Sequence, residues 1–109
     1  MASSNDFFEY VKDQLSPWYD IYTKRMFGVL GLYCEGLMFG IVAKDKAYLK
    51  VDETNRQKYI DAGSETLKVF KNDSEVPSYY EVPVHVLEDS DAFIEWAKES
   101  YAIQRTKNG

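Results

Sequence analysis

The sequence predicts an α+β fold, a two-layer sandwich, on three observations. Apolar residues recur at helical spacing near both ends of the chain. Between about residues 22 and 82 the pattern changes to short apolar runs of strand length. Turn residues, not linkers, separate those runs. The predicted order is helix, three strands, helix, two strands, helix, with a five-stranded antiparallel sheet covered by the helices. A chain of 109 residues suits one domain, here 1–109, with an ordered part at about 6–102 and a polar tail at 103–109.

The first helix is expected from Asp6 to Leu15. Asp6 and Glu9 have capping-box spacing, and Phe7, Phe8, Val11 and Leu15 make one apolar stripe. Pro17 ends it, because its ring cannot continue the turn. Lys24 to Glu35 reads as one long or broken strand, with Gly28 and Gly31 marking a bulge or bend. Glu35-Gly36 is a two-residue hairpin signal. Leu37 to Ala43 is apolar at every position, which suits a central strand. After a turn at Asp45-Lys46, Ala47, Leu49 and Val51 alternate with Tyr48 and Lys50, as in a half-buried strand.

Asp52 is placed to cap a second helix, about Glu53 to Ala62, which Gly63 ends. Leu67 to Lys71 has strand character, and Asn72-Asp73 begins a turn. Ser78 to Val82 reads as a strand near an edge, bounded by Pro77 and Pro83. Ser90 is expected to cap the last helix, with Phe93, Ile94, Ala97 and Tyr101 as its buried stripe and Trp96 beside it. Gln104 to Gly109 should fray.

Charge is unevenly placed. Residues 1–51 carry six basic and six acidic side chains, whereas residues 52–109 carry seven and twelve, the whole of the net −5. An acidic domain repels phosphate at long range, so direct nucleic-acid binding starts disfavoured. Aromatic residues make up 16% of the chain, large rings that give a small domain much apolar area to bury. Cys34 is the single cysteine, so no intrachain disulfide forms, and its flanks offer no cation to activate the thiol. The amino terminus lacks the basic and apolar regions of a signal peptide, and the longest apolar run is far short of a membrane span. A cytoplasmic protein without membrane contact is the expectation.

Catalysis needs convergent titratable or nucleophilic groups, and no motif supplies them. His85 is the lone histidine and follows Pro83-Val84 at a turn or one-turn helix, which suits an exposed or capping role. One His and one Cys cannot complete a four-ligand zinc site without distant carboxylates. The glycines lie in strand and hairpin context, not ahead of a helix where they would cradle phosphate. Glu88, Asp89, Asp91, Glu95 and Glu99 read as capping groups and a solvated face. The expectation is a non-enzyme with no cofactor, metal site or catalytic residue.

Surface candidates remain. Lys24-Arg25 with Lys44, Lys46 and Lys50, beside Tyr33 and Tyr48, would suit a single strand of nucleic acid. Cations at strand ends also guard sheet edges against pairing. In Tyr79-Tyr80, adjacent strand residues point to opposite faces, so one ring packs inward while its neighbour faces out, either packed at the sheet edge or open to a partner. Lys24, Arg25, Tyr79 and Tyr80 are thus the candidate partner surface.

Several blocks occur in one order: Lys24-Arg25-Met26-Phe27-Gly28, Gly31-Leu32-Tyr33, Gly36-Leu37-Met38-Phe39 and Tyr48-Leu49-Lys50-Val51-Asp52. Ala62-Gly63-Ser64-Glu65 and Tyr79-Tyr80-Glu81-Val82-Pro83 follow. Over about Phe7 to Ala102 the chain resembles the amino-terminal domain of the TfoX/Sxy family. The resemblance implies a secretion-chaperone-like fold with the same element order. It also implies a link to competence and transcription regulation, in which full-length members act with the cyclic-AMP receptor protein. Those members carry a second, helical domain, and this chain reads as the first domain alone. The implied partner is a protein of the transcription machinery or a regulator, with a homodimer possible. The family supplies no catalytic residues. A nucleic-acid-binding domain, or a small-molecule binder or enzyme, are the alternatives.

Overall fold

A computed structural model describes residues 5–26, 28–68 and 75–108. α1 (Asn5–Leu15) is followed by four strands, β1 (Ile21–Met26), β2 (Val29–Cys34), β3 (Leu37–Ala43) and β4 (Lys46–Lys50). Then come α2 (Arg56–Asp61), β5 (Thr66–Lys68), β6 (Glu75–Glu81), the one-turn α3 (Val84–Leu87) and α4 (Ser90–Asn108). The strands form one antiparallel sheet in the order β1-β2-β3-β4-β6-β5. The α+β class and the helix layer are as expected, but the sheet has six strands, not five.

The extra strand comes from the segment Lys24–Glu35. Gly28 sits at φ 80°, a conformation an L side chain rarely adopts, and the chain reverses there instead of bending. Two strands result, in register from Ile21↔Cys34 to Met26↔Val29. The next hairpin turns at Glu35 (φ 52°) and Gly36 (φ 82°), as its residues predict. The third turns at Lys44 and Asp45, one residue earlier than predicted.

Cross-strand partners share a face, so the register sorts the side chains. Leu30, Leu32, Val42, Ala47, Leu49 and Val82 face the helices and join Phe8, Val11 and Leu15 of α1 and Phe93 and Ala97 of α4 in one core. A bulge beside Leu32/Tyr33 puts Phe39 into that core as well. That explains how a strand with Gly40 and Ile41 between them buries both Phe39 and Val42 completely.

Three caps differ from expectation. α1 begins at Asn5, so Asp6 lies in its first turn. Asp52 closes a turn before α2, its carboxylate accepting from Thr54 N (2.8 Å) and Thr54 Oγ1 (2.5 Å). Those two bonds hold the Asp52 carboxyl below its usual range. Asn55 stands at the helix start itself and ties back to Asp52 N (2.9 Å) and the Lys50 carbonyl (3.3 Å). Asp89, not Ser90, caps α4 through Ala92 N (3.1 Å), while Ser90 Oγ donates to the Gln14 carbonyl (2.6 Å).

The expected frayed tail is helix through Asn108. Ile103 is buried, and Gln104 Nε2 donates to the Met38 carbonyl at 2.7 Å. Pro77 falls within β6, where a register shift on β5 leaves it without a ladder partner. β6 lies second from the edge. The expected turn at Asn72-Asp73 and the end of the Leu67–Lys71 strand lie outside the described residues.

Candidate interaction surface

The face of the sheet turned away from the helices carries rings and lysines. Tyr22 of β1 stands opposite Tyr33 of β2, and their rings stack with centroids 5.4 Å apart and planes 12° from parallel. Lys24 Nζ lies over both, 5.3 Å from the Tyr33 centroid and 6.0 Å from that of Tyr22. Such cation–π contacts contribute about 0.5–1 kcal/mol where solvent reaches them. Opposite Lys24 stands Gly31, whose missing side chain leaves the space that the Tyr33 ring fills.

Further across the same face, Lys50 Nζ lies 5.4 Å from the Tyr79 ring. Burial, and then Tyr33 nearby, push the Tyr79 phenol up to about 12. Burial and the neighbouring Lys107 push the Lys50 ammonium down. Tyr48 is buried too, its phenol raised by that burial and by Glu81 and Glu65. Beside it a hollow of about 250 Å³ is bordered by Lys46, Lys68, Glu65 and Glu81. Lys46 and Glu81 pair within that hollow at 3.8 Å, so much of its charge is already answered.

Lys24 and Arg25 are both exposed, on opposite faces of the edge strand β1. The Arg25 guanidinium leans over the Phe8 ring of α1 at 4.9 Å. Tyr79 and Tyr80 do not join them. Three strands separate β6 from β1, and neither ring is free. Tyr80 packs inward against Tyr59 with centroids 5.8 Å apart. Tyr79 faces outward as alternation requires, yet only 7% of it is exposed. Of the two readings of the outward ring, packing is the one the burial of Tyr79 fits, with Lys50 lying over it. Sequence reasoning missed Tyr22, which is 41% exposed; its alternation with Lys24 in Ile21-Tyr22-Thr23-Lys24 was the available signal.

His85 is exposed on the one-turn α3. Cys34 is buried against the core, and burial followed by the charge of Glu35 raises its thiol. Of the far carboxylates, Asp89 caps α4 and Glu99 pairs with Lys58, whose ammonium sits 4.2 Å from the Trp96 ring. Among the described residues no three of His, Cys, Asp and Glu gather as metal ligands, and no helix is long and apolar enough to cross a membrane.

Residues 13–103 match the family profile of the TfoX N-terminal domain. The chain belongs to the TfoX family. The matched segment runs from the end of α1 to the buried Ile103, so it takes in the whole described sheet and α4 as far as Ile103. No curated protein matches the chain.

Proposed function

We propose that this TfoX-family domain works by contact, not catalysis, as a module related to competence and transcription regulators that captures a protein partner. The observation that carries the reading is the pair of exposed cations on β1, Lys24 over the Tyr22–Tyr33 stack and Arg25 over Phe8. Each is pre-positioned by an aromatic ring beneath it, so little side-chain freedom is lost when a partner binds. Family membership supports the regulatory half of the proposal. Lys24→Ala and Arg25→Ala should each weaken capture of partners from the source cell several-fold, with the domain still folded and its melting temperature lowered by only a few degrees. Capture at the wild-type level by both variants would sink the assignment.

A second reading has its own observation. Lys24, Lys46 and Lys50 share the outer face with Tyr22 and Tyr33, the elements of a single-strand platform. Against it stands the net charge of −5. Nucleic-acid affinity would fall steeply as salt rises. A flat, negligible signal at low salt on single- and double-stranded DNA and RNA removes that reading.

A further inference from the structure

β1 ends the sheet, and among the described residues no strand pairs with its outer side. Two residues join it to β2 across the closing pair Met26/Val29, so hydrogen bonding alternates from there. Tyr22, Lys24 and Met26 turn their backbone groups toward β2. Ile21, Thr23 and Arg25 turn theirs outward. The β2–β3 hairpin closes at Cys34/Leu37 and fixes the opposite parity on β2, which agrees.

Natural sheets blunt their edges with short strands, prolines or bulges. The other edge follows this rule through the register shift between Thr66 and Leu67 on β5. β1 does not. It has six residues, no proline and an uninterrupted register, and only Lys24 and Arg25 guard it. Guarding alone would account for the charges but not for what lies beside them. On the helix side of the edge is an open hollow of about 260 Å³, bordered by Lys12, Ser16, Trp18, Tyr19, Ile21 and Thr23. Its walls are mainly apolar, and Tyr19 stands 91% exposed at its rim.

Resting on the partner-binding reading above, we infer that β1 accepts an additional strand from the partner, an extended acidic segment that places one large apolar side chain in this hollow. Main-chain bonds to Ile21, Thr23 and Arg25 supply affinity, and alternate side chains supply selectivity. An apolar residue beside Ile21 or Thr23 enters the hollow. A carboxylate two positions along shares its face and meets Arg25, while one on the other face meets Lys24. A second copy of this chain fits poorly, because two β1 strands side by side bring together two Lys24 and two Arg25 with no carboxylate in either strand.

The test is to pan a randomised displayed peptide library against the full chain and follow amide hydrogen exchange with the enriched peptides bound. Expected are peptides with an apolar residue and Asp or Glu two positions apart, and slowed exchange at Ile21, Thr23 and Arg25. Thr23→Pro removes an outward N–H without touching the β1–β2 ladder, and binding should weaken about tenfold. Should that variant unfold, the exchange data on the wild-type chain still decide. No enrichment, enrichment of basic peptides, or bound peptides that leave those amides unprotected overturns the inference. So does protection that grows with protein concentration alone, which would mean self-pairing. If strand addition fails while Lys24→Ala and Arg25→Ala still weaken capture, the partner reading survives without it; if both fail, both fall.

Discussion

The Tyr33 ring lies across Gly31, two residues earlier on the same strand, so closely that a Cβ at position 31 would stand 2.7 Å from Tyr33 Cε1. The stack on Tyr22 and the seat of Lys24 both depend on that empty position. Gly40, on the neighbouring strand, is crowded differently: a Cβ there would meet the Tyr48 carbonyl oxygen at 2.9 Å and the Leu32 and Leu49 side chains at 3.0 and 3.1 Å.

The two glycines should therefore answer alanine differently. At Gly31 the obstacle is a ring that can swing toward solvent, so Gly31→Ala should cost less than about 1 kcal/mol. It should nevertheless return the Lys24 side-chain proton shifts toward those of a free lysine. At Gly40 the obstacle is backbone and packed core, and Gly40→Ala should cost about 1–3 kcal/mol by urea unfolding. Equal costs would show that the register around Gly40 is misplaced.

Tyr59 is fully buried, between Trp96 (4.8 Å between centroids) and Tyr80, and among the described residues its hydroxyl has no hydrogen-bond partner. Ser100 Oγ is near enough to influence it but donates to the Lys50 carbonyl at 2.7 Å. An orphaned buried hydroxyl is a cost, so Tyr59→Phe should hold or raise stability by up to about 1 kcal/mol. Tyr59→Ala removes the ring as well and should lose about 3–5 kcal/mol. A loss of more than about 1 kcal/mol in Tyr59→Phe would mean that the hydroxyl is satisfied after all.

Alkali should unfold the domain through its buried phenols. Tyr79 is raised from 10.0 to about 12, and burial raises Tyr48 in the same direction. The unfolded chain releases these protons first, so it gains stability relative to the fold as pH climbs. Stability is then fully present below 10 and falls as pH rises toward about 12. Melting temperatures across this range should drop, and Tyr79→Phe should make the drop shallower. An identical slope in the variant would remove Tyr79 from the explanation.

Ile103 reports whether the end of α4 is docked. It is 7% exposed, so Ile103→Ala should cost about 2–4 kcal/mol. A loss within about 0.5 kcal/mol is what a solvated, fraying end would give.

Much of this architecture was legible because short-range physics decides it. The stripe Phe8, Val11, Leu15 predicts α1, and Glu35-Gly36 predicts a hairpin, from spacing and backbone preference alone. The end of α4 was hidden because its buried stripe passes through Ser100, a polar residue whose hydroxyl finds its shorter hydrogen bond at the Lys50 carbonyl fifty positions away. Gly28 shows the limit most plainly. Gly permits a bulge or a reversal equally, and the reversal occurs because Ile21 to Met26 find partners along β2.

Local order, then, brought with it α1, the Glu35-Gly36 reversal and the alternation along β4. Packing at long range chose the sixth strand, the insertion of β6 between β4 and β5, and the fate of the paired tyrosines. Alternation states that Tyr79 and Tyr80 point to opposite faces, and they do. It cannot state that Lys50 will lie over Tyr79, or that Tyr59 will meet Tyr80, because those neighbours arrive from other strands and helices. Direction is a property of the backbone at one residue; exposure is a property of whatever the rest of the chain folds on top of it.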